Sequence, residues 1–223
     1  MRKKLLPKKR DVRTDMLSFE THAQQEGFET IIGIDEAGRG PLAGPVVAAA
    51  VSLKTCQFDS IIRDSKQLTA RQRSQALEEI LRKSVVGIGL VDAQEIDAIN
   101  ILEATFLAMT HAVKDLFTKM PQAYRDSAKL VKKVCLLVDG NRFQSTLPFN
   151  YKTIVRGDSK SLSIACASIV AKVTRDRLME DYDKKYPHYG LAQHKGYPTL
   201  THKDRIKTFG LSPIHRKTFK FWT

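Results

Sequence analysis

Apolar residues along this chain fall into two patterns: short continuous runs, and stripes that recur at helical spacing. The runs predict buried strands. They cover residues 29–34, rich in Ile; 45–53 (PVVAAAVSL); 85–91; and 134–138 (VCLLV), ended by Asp139-Gly140. Residues 151–155 predict a further short strand. The stripes predict helices. One covers 13–26, with Met16, Phe19 and Ala23 inward and Gly27 as its stop. One covers 68–83, with Thr69 and Gln72 as a capping box and Ala76, Leu77, Ile80 and Leu81 as its inner stripe. Asp92 with Glu95 opens a third, and Asn100 with Glu103 a fourth that reaches about residue 119, with Phe106, Met109, Val113 and Leu116 inward and Pro121 as the stop. Residues 161–184 predict a long helix rich in Ala and Ser near its start, suited to close packing on a sheet, and 199–208 a last one with Gly210 as its C-cap.

This order predicts one mixed α/β fold, with antiparallel neighbours among the early strands and a mostly helical later part. No internal repeat and no Gly/Ser linker interrupts it. The 223 residues, 42% hydrophobic, can bury a sizeable core. No apolar run approaches the roughly 20 residues that span a bilayer. The first ten residues, MRKKLLPKKR, carry six bases and lack the apolar segment of a secretory signal, so a cytoplasmic location is expected. They read as a solvated tail, with weak phosphate gripping as the alternative.

Charge changes the picture. A net charge of +13 favours a partner with many phosphates over a membrane or protein partner. Cys56, Cys135 and Cys166 are far apart, without zinc spacing, and read as buried reduced thiols. His188 and His194 form no evident ligand set.

Against that basic background, the run after Ile32 reads GIDEAGRGPLAGPV. Gly33 and Gly38 have P-loop spacing, but Arg39-Gly40 stands where Lys-Ser/Thr is required, and two acids would repel phosphates. Gly38, Gly40 and Ala43 match a dinucleotide-binding loop, but Pro41 and Pro45 oppose the helix whose N-terminus should hold the pyrophosphate. The remaining reading is a metal site. Adjacent strand residues point to opposite faces, so Asp35 and Glu36 can converge on one hard cation only where the strand ends or through carbonyls. Further acids then come from Asp139, at the end of VCLLV, and Asp158 in RGDSK. Taken singly, Asp139-Gly140 also makes a good turn and Asp158 a helix start. Four such acids together on a basic chain favour the metal.

These residues carry a resemblance to bacterial ribonuclease HII. The matching pieces are GIDEAGRGPLAGPVVAAAV from 33 to 51, Asp64-Ser65-Lys66 with Leu68, LLVDG at 136–140, RGDSKSLSIACASIVAKVTRDRLM from 156 to 179 and HKGYPTLTHKDRIKTFGLSPIHR from 194 to 216. Arg39 in DEAGRG, and only 34 residues before Asp35, side with HII over the sister type HIII. The resemblance implies a ribonuclease H-like α/β fold, a central mixed sheet flanked by helices with a helical C-terminal portion. It divides the chain into a basic tail and short helix (1–28), a catalytic domain (29–184) and a C-terminal substrate-binding segment packed on it (185–223). It implies a metal-dependent endonuclease, with Asp35, Glu36, Asp139 and Asp158 as catalytic acids and ligands of two divalent ions, Mn²⁺ or Mg²⁺. The partners implied are RNA–DNA hybrids and duplex DNA with a lone ribonucleotide, nicked on its 5′ side to leave 5′-phosphate and 3′-hydroxyl ends. Gly38, Arg39 and Gly40 would read the ribose 2′-OH, Tyr197 would lie on the next deoxyribose, and Lys66, Lys160 and Lys172 would meet phosphates. Cys166 stands where Ala is commoner. A monomer is expected. The alternatives are a non-catalytic nucleic-acid-binding module and a nuclease acting on another DNA structure.

Overall fold

The computed structural model describes residues 16–122 and 131–220. The basic tail, the start of the first predicted helix, and Phe221 and Trp222 lie outside the described residues. The elements run α1 (Ser18–Gln25), β1 (Thr30–Ala37), β2 (Val46–Leu53), α2 (Ala70–Lys83), β3 (Ser84–Val91), α3 (Ala93–Ile99), α4 (Ile101–Thr118), β4 (Val134–Asp139), β5 (Asn150–Ile154), α5 (Leu162–Lys185), α6 (Leu191–His194) and α7 (Leu200–Phe209), with three short 3₁₀ turns between them.

Five strands form one mixed sheet in the order β3-β2-β1-β4-β5. β1 pairs antiparallel with β2, and β2 with β3. β1 and β4 run parallel, as do β4 and β5. Alternation along the strands feeds two faces. Ile32, Ile34, Ala48, Leu136 and Val138 pack with Ala108, Met109, Ala112 and Leu116 of α4. Ala49, Val51 and Val86 turn the other way, onto Ala165, Cys166, Ile169 and Val170 of α5 and Ala76, Leu77 and Ile80 of α2. The alanines of β2 leave room for a helix on each side. Every residue of α5 from Leu162 to Ala171 is buried, so this helix is the spine of its layer.

The helix ends follow from their caps. Thr69 and Gln72 exchange the reciprocal bonds of a capping box, each such cap contributing about 1 kcal/mol. Asn100, in the left-handed region, closes α3, and its Oδ1 accepts the Leu102 and Glu103 N–H groups that open α4. Two expectations need correction. Leu81 is half exposed, and the buried neighbour on α2 is Glu79, whose carboxylate accepts the Asp59 and Ser60 N–H groups and the Lys83 ammonium. Cys56 is exposed, whereas Cys135 and Cys166 are buried. Among the described residues no helix is long and apolar enough to cross a membrane.

The C-terminal segment returns to the β1–β2 connection. Leu191 and Ile206 pack with Leu42, Ala43 and Met179. His215 bridges to Ala43. Asp97 anchors the chain beyond, accepting from the Lys217 and Thr218 N–H groups.

Candidate active site

β1 does not end at its acids. It stays paired with β2 through Glu36↔Ala48 and Ala37↔Val47, three residues beyond the expected stop. Asp35 therefore lies on the α5 face and Glu36 on the α4 face. They meet around the strand's edge rather than side by side. Asp35 is buried, at 5% exposure, and Glu36 is half-buried. The Asp35 carboxylate accepts the Glu36 N–H at 2.7 Å, which fixes the bend between them.

The parallel register of β4 brings in the third acid. Ile34 pairs with Val138, so Asp139 stands one step further along, beside Asp35. Its Oδ1 accepts the Gly157 N–H at 2.6 Å. That bond ties β4 to the 3₁₀ turn Gly157–Ser159, entered through Arg156 in the left-handed region, and so sets Asp158 next to it. Ser161 then caps α5.

The acids oppose one another's charge. Burial, then Glu36 and Asp139, hold the Asp35 carboxyl well above its ordinary value. Burial raises Glu36 also, with Asp139 adding and Arg39, 3.4 Å away, opposing. Asp158 is raised by burial, then by Asp64 and Asp139, and is relieved by Lys66. At Lys66, burial works against the charge, but Asp64, Asp158, Asp35 and Asp139 together hold its ammonium above the ordinary value. A set of carboxylates that resist ionising beside one another is a set that a cation would relax.

A cavity of about 300 Å³ opens beside Asp35. Asp35, Glu36, Ser65, Lys66, Ser168 and Lys172 line it together with Gly38, Arg39, Gly40 and Tyr197. Glu36 and Asp139 also share an adjoining cavity with Arg39, Asn141 and Arg142. A Cβ built on Gly38, at φ +101°, would fall 2.1 Å from Arg175 Nε, so only glycine fits there. A Cβ on Gly40 would meet Tyr197 Cε1 at 3.6 Å, an ordinary contact, so that position lies against the Tyr197 ring. Lys172 lines the cavity and pairs with Asp176 at 2.7 Å. Lys160 stands apart from it: its ammonium donates to the Val155 carbonyl at 2.7 Å. Asp158 is joined to the cavity wall through Lys66 rather than lining it.

Several groups here escaped the sequence reading. The Ser65 and Ser168 hydroxyls bond each other at 2.9 Å within the wall. The segment bearing Tyr197 rests on three histidines. His202 Nδ1 lies 2.9 Å from the Tyr197 carbonyl, and its Nε2 lies 3.1 Å from His215 Nε2. His215 Nδ1 accepts the Ser212 N–H. His194 accepts the Gly196 N–H and bonds the Tyr189 carbonyl. Burial pulls His202 and His215 down to about 4, so both are neutral at pH 7. With Ser212 donating to His215 Nδ1, His215 donates through Nε2 to His202, and His202 donates through Nδ1 to Tyr197. Arg175 and Arg216 were also missed: isolated Arg residues in a helix and near the end of the sequence carry no local signal.

The donors available to a metal are carboxylate oxygens, the type that hard divalent cations take. Among the described residues no group of three or more His, Cys, Asp or Glu side chains stands close enough together to hold a metal ion by itself. An open set of acids suits an ion that keeps positions for water and substrate phosphate.

The family model for ribonuclease HII matches residues 32–221. The chain is 48% identical over 193 residues to the ribonuclease HII of Magnetococcus marinus, covering 86% of this chain and 85% of that one. It is 51% identical over 205 residues to that of Ruminiclostridium cellulolyticum, covering 92% and 75%. Among solved structures, the ribonuclease H2 of Pyrococcus horikoshii OT3 superposes with a TM-score of 0.64 at 27% identity, over 86% of this chain and 94% of that one.

Proposed function

The chain belongs to the ribonuclease HII family and is an endoribonuclease acting on the RNA strand of RNA–DNA hybrids; from that premise we propose that it is metal-dependent and also nicks duplex DNA 5′ of a single embedded ribonucleotide, leaving 5′-phosphate and 3′-hydroxyl ends. The observation that carries this reading is that Asp35 and Glu36 line the same cavity as Gly38, Arg39, Gly40 and Tyr197. Acids, loop backbone and an aromatic ring share one cavity.

Asp35, Glu36, Asp139 and Asp158 would hold the divalent ions, Mg²⁺ or Mn²⁺. Such ions, when bound, stabilise charge on a phosphate and lower the pKa of bound water. The rest falls to the chain. Gly38, Arg39 and Gly40 bring backbone groups against the ribose, where a 2′-OH separates RNA from DNA. Tyr197 supplies a flat apolar surface to the neighbouring deoxyribose. Lys66 and Lys172, which line the same cavity, offer charge to phosphates. Lys160, occupied by Val155, stays outside this arrangement. Residues 185–220 serve as the substrate-binding segment by carrying Tyr197.

Cleavage of three labelled duplexes tests the reading: DNA with one ribonucleotide, a full hybrid, and all-DNA, each with Mg²⁺, Mn²⁺ or EDTA. The expected result is a metal-dependent nick 5′ of the lone ribonucleotide, abolished in Asp35→Asn with binding retained. Cleavage of the hybrid alone would remove the junction role of Tyr197. Equal cleavage of all-DNA would overturn ribose reading altogether.

A further inference from the structure

Behind the Gly38–Gly40 loop lie two buried guanidiniums. Arg216 is 0% exposed and Arg175 is 1% exposed. Among the described residues neither forms a salt bridge. A buried cation without an acid is costly unless its donors are all met. Here backbone carbonyls meet them. Arg216 donates to Gly38 O at 2.6 Å, Arg39 O at 3.0 Å, Pro41 O at 2.9 Å, and Gly44 O at 2.8 and 3.0 Å. Arg175 donates to Pro45 O at 3.0 Å, Ala43 O at 3.1 Å and Lys195 O at 2.9 Å. Burial pulls Arg216 to about 9 and Arg175 to about 10, so both stay charged at neutral pH.

The consequence is directional. Carbonyls of the loop are drawn inward on one side, while Arg39 and Gly40 stay exposed. Among the described residues no protein acceptor takes the Arg39 or Gly40 N–H. Those donors are left for a ligand on the cavity side. Arg175 does a second thing: through Lys195 it joins the loop to the turn that carries Tyr197, beside the Leu42 N–H bond to Gly196 O at 2.8 Å.

We propose that Arg175 and Arg216 are positioning residues for substrate selection: by holding the loop carbonyls inward and the Tyr197 turn at a fixed distance, they set the preference for a ribose over a deoxyribose. The inference rests on the ribose reading given to Gly38–Gly40 and Tyr197 above. It depends on the fork of the guanidinium, not on charge alone. Arg216 uses five N–H donors toward four carbonyls, and a lysine ammonium has three donors and no plane.

Arg216→Lys and Arg175→Lys keep the charge and remove the fork. Each is placed in an Asp35→Asn background with EDTA, so that cleavage does not intervene. Affinities are then measured for a duplex with one ribonucleotide and for its all-DNA counterpart, well below each variant's own melting midpoint. We expect the preference for the ribonucleotide duplex to fall by about tenfold or more, with all-DNA affinity unchanged. A preference kept within a factor of about two of the parent in both variants overturns the proposal and leaves the ribose reading standing. An equal loss on both duplexes overturns it also, since that is a general defect. If the parent itself shows no preference for the ribonucleotide, the ribose reading fails and this inference fails with it. If Arg216→Lys does not fold, Arg175→Lys, with fewer bonds to replace, decides alone.

Discussion

At the scale of single residues, the site combines groups that want opposite things. In the proposed role Asp35 would serve as an anion, yet burial and two neighbouring acids press it toward the neutral form. Its folded-state pKa lies above the unfolded value. It therefore favours folding below the unfolded pKa, and that contribution is lost as pH rises through the raised value. Asp35→Asn should raise the melting midpoint in EDTA at pH 8, and the gain should shrink when Mg²⁺ is added to both proteins. A lower midpoint for the variant in EDTA would contradict the repulsion. Two glycines of the loop separate stability from binding. Gly38→Ala places a Cβ in strained backbone and against Arg175, and should cost about 2 kcal/mol or more in denaturant titration. Gly40→Ala has room in the fold and should leave stability unchanged while raising KM, because the methyl enters the space before Tyr197. Asp35, Glu36 and Asp139 stand out in the sequence as charge at the end of apolar runs, and Asp158 only by its place before a helix. The two arginines do not, because their meaning lies in carbonyls 130 or more residues away.

At the scale of elements, helix ends were legible wherever a side chain caps them. Thr69, Asp92, Asn100, Ser161 and Thr199 each begin a helix within a residue of its expected start. The end of β1 was not legible, because Asp and Glu are poor strand formers and it is pairing with β2 that carries the strand past them. Leu81 was expected inward and is half exposed; the buried place goes to Glu79, because distant N–H groups that the sequence does not reveal claim its carboxylate. The histidine relay under Tyr197 gives this scale its own prediction. The folded pKa values of His202 and His215 are depressed from 6.5 to about 4. Their contribution to stability is full above the unfolded value and is lost as pH falls through the folded one. Melting midpoints should therefore drop between pH 7 and pH 4.5, and His215→Phe should flatten that drop. An unchanged slope in the variant would mean that other groups govern the acid limb.

At the scale of the whole molecule, the mixed sheet brings distant acids to one edge. Asp35 and Glu36 arrive on β1, Asp139 on the parallel neighbour β4, and Asp158 on the turn before α5. The α/β class and its strands could be read from the apolar runs. The strand order could not, because β4 docks beside β1 only after α4 has crossed the sheet. The net charge of +13 acts at this scale too. Binding of a hybrid by Asp35→Asn should weaken about tenfold or more between roughly 50 and 200 mM salt, as phosphate contacts displace counterions. A salt-independent affinity would argue against phosphate contacts as its main source.

The grip of Arg216 on Gly38 spans 178 positions of the chain. During translation the loop at 38–45 leaves the ribosome long before the arginine that organises it. The strands and both flanking helices, Arg175 with them, can assemble first, acids included, while the loop still lacks the bonds of Arg216. The discrimination proposed for this loop would thus be the last property the nascent protein acquires.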